Sequence, residues 1–306
     1  MEKRHSGAKL PLWAGIVATL AMGLFVVADS AFAAGPAPVG LGTAAPFAVL
    51  AGTGMTNTGT TTIVGDVGSS PTHTETGFGA CPGANCVTLT GTNHNAPDPN
   101  DTVTQGAKTD LTTAYTVAAG LPVTANHGTL AGLTLPGGVY NAGGVTLNLT
   151  GTVTLDGQND PSSVWVFQAT SDLITASSSR VALINGANPC NVFWQVTSSA
   201  TLGSGSTFVG TIMALTSISM ANGVTVTGRA LARNGDVTLI NDTINASACS
   251  TTAAASGSPT SSGVPNTAFQ PKEPVASWPL FLAMIALVFG LTLMVVAHWR
   301  AEEDMY

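Results

Sequence analysis

The stretch "GSTFVGTIMALT", beginning at Gly205, is followed eighteen residues later by "GVTVTGRALARN", beginning at Gly223. Glycine falls on glycine and apolar residue on apolar residue. "ATLGSG" at Ala200 returns as "ISMANG" at Ile218, and "FWQV" at Phe193, "TIMA" at Thr211 and "RALA" at Arg229 keep the same step. A further copy, "DVTLINDTINA" from Asp236, carries one extra residue. Upstream, "VWVFQATSDL" resembles "NVFWQVTSSATL" at a step of twenty-seven, so insertions break the period there. "TTTIVGDVG" from Thr60 matches "VTVTGRAL" from a distant part of the chain. A unit of this length cannot bury its own apolar face, so its copies must stack on one another.

Within each copy apolar and polar residues alternate, the strand period of two. Val224 and Val226 are expected to point inward, Thr225 and Thr227 outward. Glycines at 205, 210, 223 and 228 mark corners. Short strands, glycine corners and this period predict a β-solenoid with three short sides. One segment departs from the pattern. "PDPNDTVTQGAKTDLTTAYTVAAGLP" places Val103, Ala107, Leu111, Ala114, Tyr115 and Ala118 on one stripe at helical spacing. Asp98 or Asp101 can cap its start, and Gly120 with Pro122 can stop it. The helix is expected over about 101–119, lying along the side that presents Met213 and Leu231. The fold class is therefore all-β with one long helix.

The ends differ from the middle. Lys3, Arg4 and Lys9 precede an apolar run from Leu10 to Ala28, and Ala31-Phe32-Ala33 gives a small-x-small site, so residues 1–33 are expected to be a cleaved signal peptide. An uncleaved anchor is the rival reading; Asp29 interrupts the run. Near the other end, "WPLFLAMIALVFGLTLMVVAHWR" is long and apolar enough to cross a bilayer, with Trp278 and Trp299 at its edges. The expected order is the exported domain at 34–250, a Ser/Thr/Pro-rich stalk at 251–277, a transmembrane helix at 278–299 and a cytoplasmic tail at 300–306. The chain would then sit in the cell membrane with its domain outside.

Export bears on the cysteines. All four lie in the exported part, where even numbers generally mean disulfides. Cys81 and Cys86 bracket the turn "PGAN", which suits a local bridge. That leaves Cys190 with Cys249, closing a loop of about sixty residues at a gain of about 4 kcal/mol. Cys-x4-Cys with His73 or His94 lacks the tight paired spacing of zinc sites, so no metal is expected. Charged residues are 8% of the chain and the net charge is −7. Lys and Arg are not clustered, which excludes a nucleic-acid surface. Asp66, Asp156, Asp172, Asp236, Arg180, Arg229 and Arg233 are scattered, with no nucleophile motif, phosphate loop or His cluster. The chain is read as a non-enzyme that needs no cofactor. Asp66 and Arg229 hold matching places in their copies, which suggests an ion pair across adjacent coils.

"LGTAAPFAVLAGTGMTNTGTTTIVGDVGSSP", "LPGGVYN", "VTLDGQNDPSSVWVFQ", "VALINGANPCNVFWQV" and "GRALARNGDVTL" together resemble the microbial ice-binding protein family of domain type DUF3494. The likeness runs from about Leu41 to Thr243, in the family's order. It implies a right-handed, discontinuous β-solenoid with a helix packed alongside, and amino-terminal strands placed among the later coils. It also implies ice as the partner, with inhibition of recrystallisation. The imperfect threonine array departs from a strong ice binder.

Three sides compete for such a contact. The helix excludes one. A second carries Thr201, Ser219 and Thr238. The third carries Thr62 with Val64, Thr207 with Val209, Thr225 with Thr227, and Thr243 with Asn245; Thr58 and Thr60 are added at its edge. Stacked strands lie about 4.7–4.9 Å apart, so these positions would form a ladder of hydroxyls and methyls. Threonine is common on any exposed strand, so the same side can be a soluble scaffold. A monomer tethered to the membrane and contacting an ice crystal is the leading expectation. A surface adhesin or carbohydrate-binding module on the same scaffold is the alternative.

Overall fold

The computed structural model describes residues 35–94 and 101–249. The expected signal peptide, stalk, transmembrane helix and tail lie outside the described residues, as does Asp98. Among the described residues no helix is long and apolar enough to cross a membrane.

The strands are short and pair in parallel across two sheets. The sequence repeat explains why. Each copy runs along one side, bends at a glycine, runs along the next and returns one step further along the stack. The strands Thr207–Ala214 and Thr225–Ala232 are the longest and serve two sides at once. They pair residue for residue from Thr207↔Thr225 to Ala214↔Ala232. Their bend falls at Gly210 and Gly228, with φ of 109° and 145°. A Cβ on Gly228 would meet the Gly210 carbonyl oxygen at 2.0 Å, so the corner demands glycine in both coils.

The chain does not wind from one end to the other. Its first strands, Phe47–Ala51, Gly54–Thr58 and Thr60–Val64, stack on the last coil. Gly54–Thr58 pairs with Asp236–Ile240, and Thr60–Val64 with Thr243–Asn245. The match between Thr60 and the later copies is thus a match between spatial neighbours. The helix Thr102–Gly120 then carries the chain to the far end, from which the coils wind back.

The helix lies within one residue of its expected bounds. Asp101 caps it, accepting from the amides of Val103 (3.1 Å) and Thr104 (3.3 Å). Ala107, Leu111, Ala114, Tyr115 and Ala118 are buried in one cluster with Met213 and Leu231, the side the sequence assigns to them, whereas Val103, expected on the same stripe, is 49% exposed and Thr104 is buried in the first turn instead. At its carboxyl end the buried Gln168 donates to the carbonyls of Ala118 (2.9 Å) and Leu121 (3.0 Å), satisfying groups that helix geometry leaves unpaired. Asp110 accepts from the amide of Thr43 at 2.7 Å and its hydroxyl at 2.6 Å. Lys108 donates to the carbonyl oxygens of Ala232 and Arg233. Burial lowers the Lys108 ammonium to about 7.

Inside the stack, Tyr140, Phe167, Trp194 and Phe208 form an aromatic column. Phe167 and Trp194 are stacked with ring centroids 4.0 Å apart. The indole N–H groups are not left bare: Trp165 donates to the Leu135 carbonyl (3.0 Å) and Trp194 to that of Val209 (2.9 Å).

Two expectations are corrected. Asp66 and Arg229 do hold equivalent places, but Phe47–Ala51 lies between their strands, pairing with both. Asp66 instead meets His94 at 3.3 Å and accepts from the Thr92 amide, while Arg229 donates to the Ala45 carbonyl at 2.8 Å. The second correction concerns sulfur. Cys81 and Cys86 are bonded as expected. Cys190 and Cys249 are free thiols. They sit on two 3-10 turns, Pro189–Asn191 and Ser247–Cys249, that touch each other. The two thiols adjoin each other without being bonded, and the Cys190 thiol also lies 3.0 Å from the Ala248 carbonyl oxygen.

Candidate functional site

The third side is built from strands whose outward residues are mostly threonine. One row runs Thr152, Arg180, Thr207, Thr225, Thr243, Thr62, Thr88, each paired in register with the next. From Thr207 to Thr88 no bulge interrupts it. Parallel strands space such rows by about 4.8 Å, and residues two apart on one strand by about 6.7 Å. Val226, Ile244 and Ile63 alternate with the row and are fully buried, which fixes the threonines outward.

The hydroxyls along this row are free for solvent. Among the described residues, those of Thr62, Thr88, Thr152, Thr207, Thr225 and Thr243 make no hydrogen bond within the protein. The helix carries exposed threonines too, but Thr109, Thr112, Thr113 and Thr116 turn their hydroxyls back to the carbonyls of Gln105, Lys108, Thr109 and Thr112. Threonine content alone does not make a surface of unoccupied hydroxyls; strand geometry does.

The second row is less regular. It pairs Val209, Thr227, Asn245, Val64 and Thr90. Val209 is only 7% exposed. The Asn245 side chain is occupied: its carbonyl oxygen accepts from the amide (3.0 Å) and hydroxyl (2.7 Å) of Ser247, closing the 3-10 turn that follows. Thr60 lies at the rim, paired with Cys86, its amide bonded to the Asn241 side chain at 2.9 Å. Thr58 does not belong to this side. It ends the strand Gly54–Thr58, paired with Ile240 in the other sheet, because the chain turns at Gly59. The structure instead adds Thr88, Thr90, Thr152, Thr154 and Thr134, the last two paired with each other. Their signal was present in "VTLT" and "TVTLD", which alternate as "VTVT" does.

The second side carries one row: Asn148, Ile174, Thr201, Ser219, Thr238, Thr56, Thr76. Its strands are three residues long at Leu147–Leu149, Leu173–Thr175, Ala200–Leu202 and Ile218–Met220. Ile174 interrupts it, and the Thr238 hydroxyl donates to Asp236 at 3.2 Å. The corner between the two open sides holds Asp242, 1% exposed. It accepts from the amides of Val224 (2.8 Å) and Ile240 (2.7 Å), tying adjacent coils together. Burial pushes its carboxyl up to about 6, although both hydrogen bonds favour the charged form.

Among the described residues no group of three or more His, Cys, Asp or Glu is placed to hold a metal ion. Cys81 and Cys86 are consumed by their own bond.

A family model described as ice-binding-like matches residues 49–245. An ice-binding protein of Nostoc sp. (strain HG1) is 44% identical over 214 residues, covering 69% of this chain and 75% of that protein. One from Colwellia sp. is 37% identical over 234 residues, covering 72% and 88%. Among solved structures, an ice-binding protein from an Antarctic biological consortium superposes with a TM-score of 0.63 at 41% identity, over 69% of this chain and 91% of its own. That of Antarctomyces psychrotrophicus gives 0.62 at 38% identity, over 68% and 98%. The fold of stacked parallel strands with one helix is shared with these structures, and by the matched model and these identities the chain belongs to the ice-binding-like family.

Proposed function

We propose that this protein binds ice through the threonine side of a right-handed, three-sided β-solenoid. The observation that carries the reading is the unbroken register from Thr207 to Thr88, whose hydroxyls have no partner inside the protein. Such a row offers hydroxyls at even intervals to hold water and methyls that tolerate its loss. The backbone beneath is fixed by pairing on both sides, so little ordering is needed on contact. The similar proteins named above are ice-binding proteins, which supports ice over other extended partners. Thr62, Thr207, Thr225, Thr227 and Thr243 form the centre of the contact. Thr60, Val64 and Val209 border it, and Asn245 serves the fold.

The purified protein is expected to slow the recrystallisation of ice, and Thr243→Lys to abolish that effect while leaving the melting temperature unchanged. Recrystallisation that proceeds alike with the protein, the variant and buffer would refute the reading; retention on glycan or cell-wall material in that case would point to adhesion. We further propose that residues 1–33 direct export and that 278–299 hold the domain on the outer surface of the membrane as a monomer. Protease treatment of intact cells is expected to release the domain.

A further inference from the structure

We infer that Arg180 is the residue that sets the extent of the ice contact; this rests on the reading of the threonine side given above. Arg180 stands in the main row between Thr152 and Thr207, paired with both. It is exposed, and among the described residues its guanidinium has no hydrogen bond or ion pair. Among the described residues no contact therefore requires a cation there.

Two features make this position a boundary. The first is chemical. A guanidinium on a long, rotatable stem stands above a row of short branched side chains, and it cannot hold a lattice position as a fixed hydroxyl does. The second is in the backbone. Arg180–Ile184 pairs with Thr152–Asp156 at five positions, but with Thr207–Ala214 only at Arg180↔Thr207. Past Arg180 the strand keeps only its Thr152–Asp156 partner, and after Ile184 the chain passes through the turn Pro189–Asn191 into Val192–Val196. The side is thus divided into a five-strand patch, Thr207 to Thr88, and a smaller patch holding Thr134, Thr152 and Thr154. The single pair at Arg180 is the hinge between them. A threonine there would join the two through one continuous row.

The test compares full-length Arg180→Thr, Arg180→Lys and Thr243→Lys with the unmodified protein, reading the lowest concentration that halts recrystallisation. Arg180→Thr is expected to lower that concentration severalfold, Arg180→Lys to leave it unchanged and Thr243→Lys to lose activity. Thermal melts check that all three remain folded. If Arg180→Thr is equal to or weaker than the unmodified protein while Thr243→Lys is inactive, Arg180 does not limit the contact. If Thr243→Lys stays active, the threonine-side reading fails first and this inference with it.

Discussion

The strands Thr207–Ala214 and Thr225–Ala232 each belong to two regions of the molecule, divided at Gly210 and Gly228. Before the glycine, Thr207 and Thr225 face solvent with free hydroxyls. After it, Met213 and Leu231 point outward just the same, yet both are 0% exposed because the helix lies on them. The backbone ladder is identical on either side of the bend. A solenoid makes a regular row of whatever the sequence places outward. Apolar rows must be covered, at about 25 cal/mol per Å² of surface buried, whereas threonine rows can stay open.

That comparison can be broken most severely on the covered half. Leu231→Asp buries a carboxylate against the helix and is expected to cost about 4 kcal/mol or more, read as loss of the cooperative unfolding transition or a large fall in its midpoint. The matching substitution on the open half, Thr225→Lys, is expected to change stability by no more than about 0.5 kcal/mol. It should nevertheless abolish ice shaping. If both variants unfold, or neither loses ice shaping, the two halves do not differ as described.

Helix attachment offers a subtler separation. Gln168→Ala removes the donor that satisfies the carbonyls of Ala118 and Leu121 and is expected to cost about 1–3 kcal/mol in denaturant melts. Ice activity below the new midpoint should be unaffected, since the threonine side does not touch the helix end.

At the corner joining the two open sides, pH is the probe. Asp242 is held up to about 6, above the 3.8 of a free aspartate, so the native state retains a proton that the unfolded chain has lost. Its contribution is fully present below pH 4 and is lost as pH rises through 6. The melting temperature is expected to fall by a few degrees over that window, and Asp242→Asn to flatten the slope. The smallest expected effect belongs to the second side: Thr201→Lys should leave both stability and ice shaping as they are.

Much of this was legible in the sequence because a solenoid writes its period into the chain. The glycine corners, the in-out alternation and the helix stripe with its covered side are local patterns. What failed was not local. Thr58 and Thr60 look alike in "TGTTT", and only the turn at Gly59 sends one to another sheet. Arg180 is twenty-seven residues before Thr207 and Thr152 twenty-eight before Arg180, so the loops in those coils hid the row that the eighteen-residue step reveals elsewhere. Asn245 sits in register with Thr227, but its side chain is claimed by the turn that follows. Asp66 and Arg229 match in their copies, yet a strand from much earlier in the chain separates them.

The in-register threonine row is proposed as the surface that meets ice. Fluorescent labelling of the full-length protein, followed by adsorption to a single ice crystal, tests it most directly. The unmodified protein and Thr201→Lys are expected to stain the same planes, and Thr225→Lys to leave the crystal dark. Staining by Thr225→Lys equal to that of the unmodified protein, or its loss in Thr201→Lys instead, would contradict it.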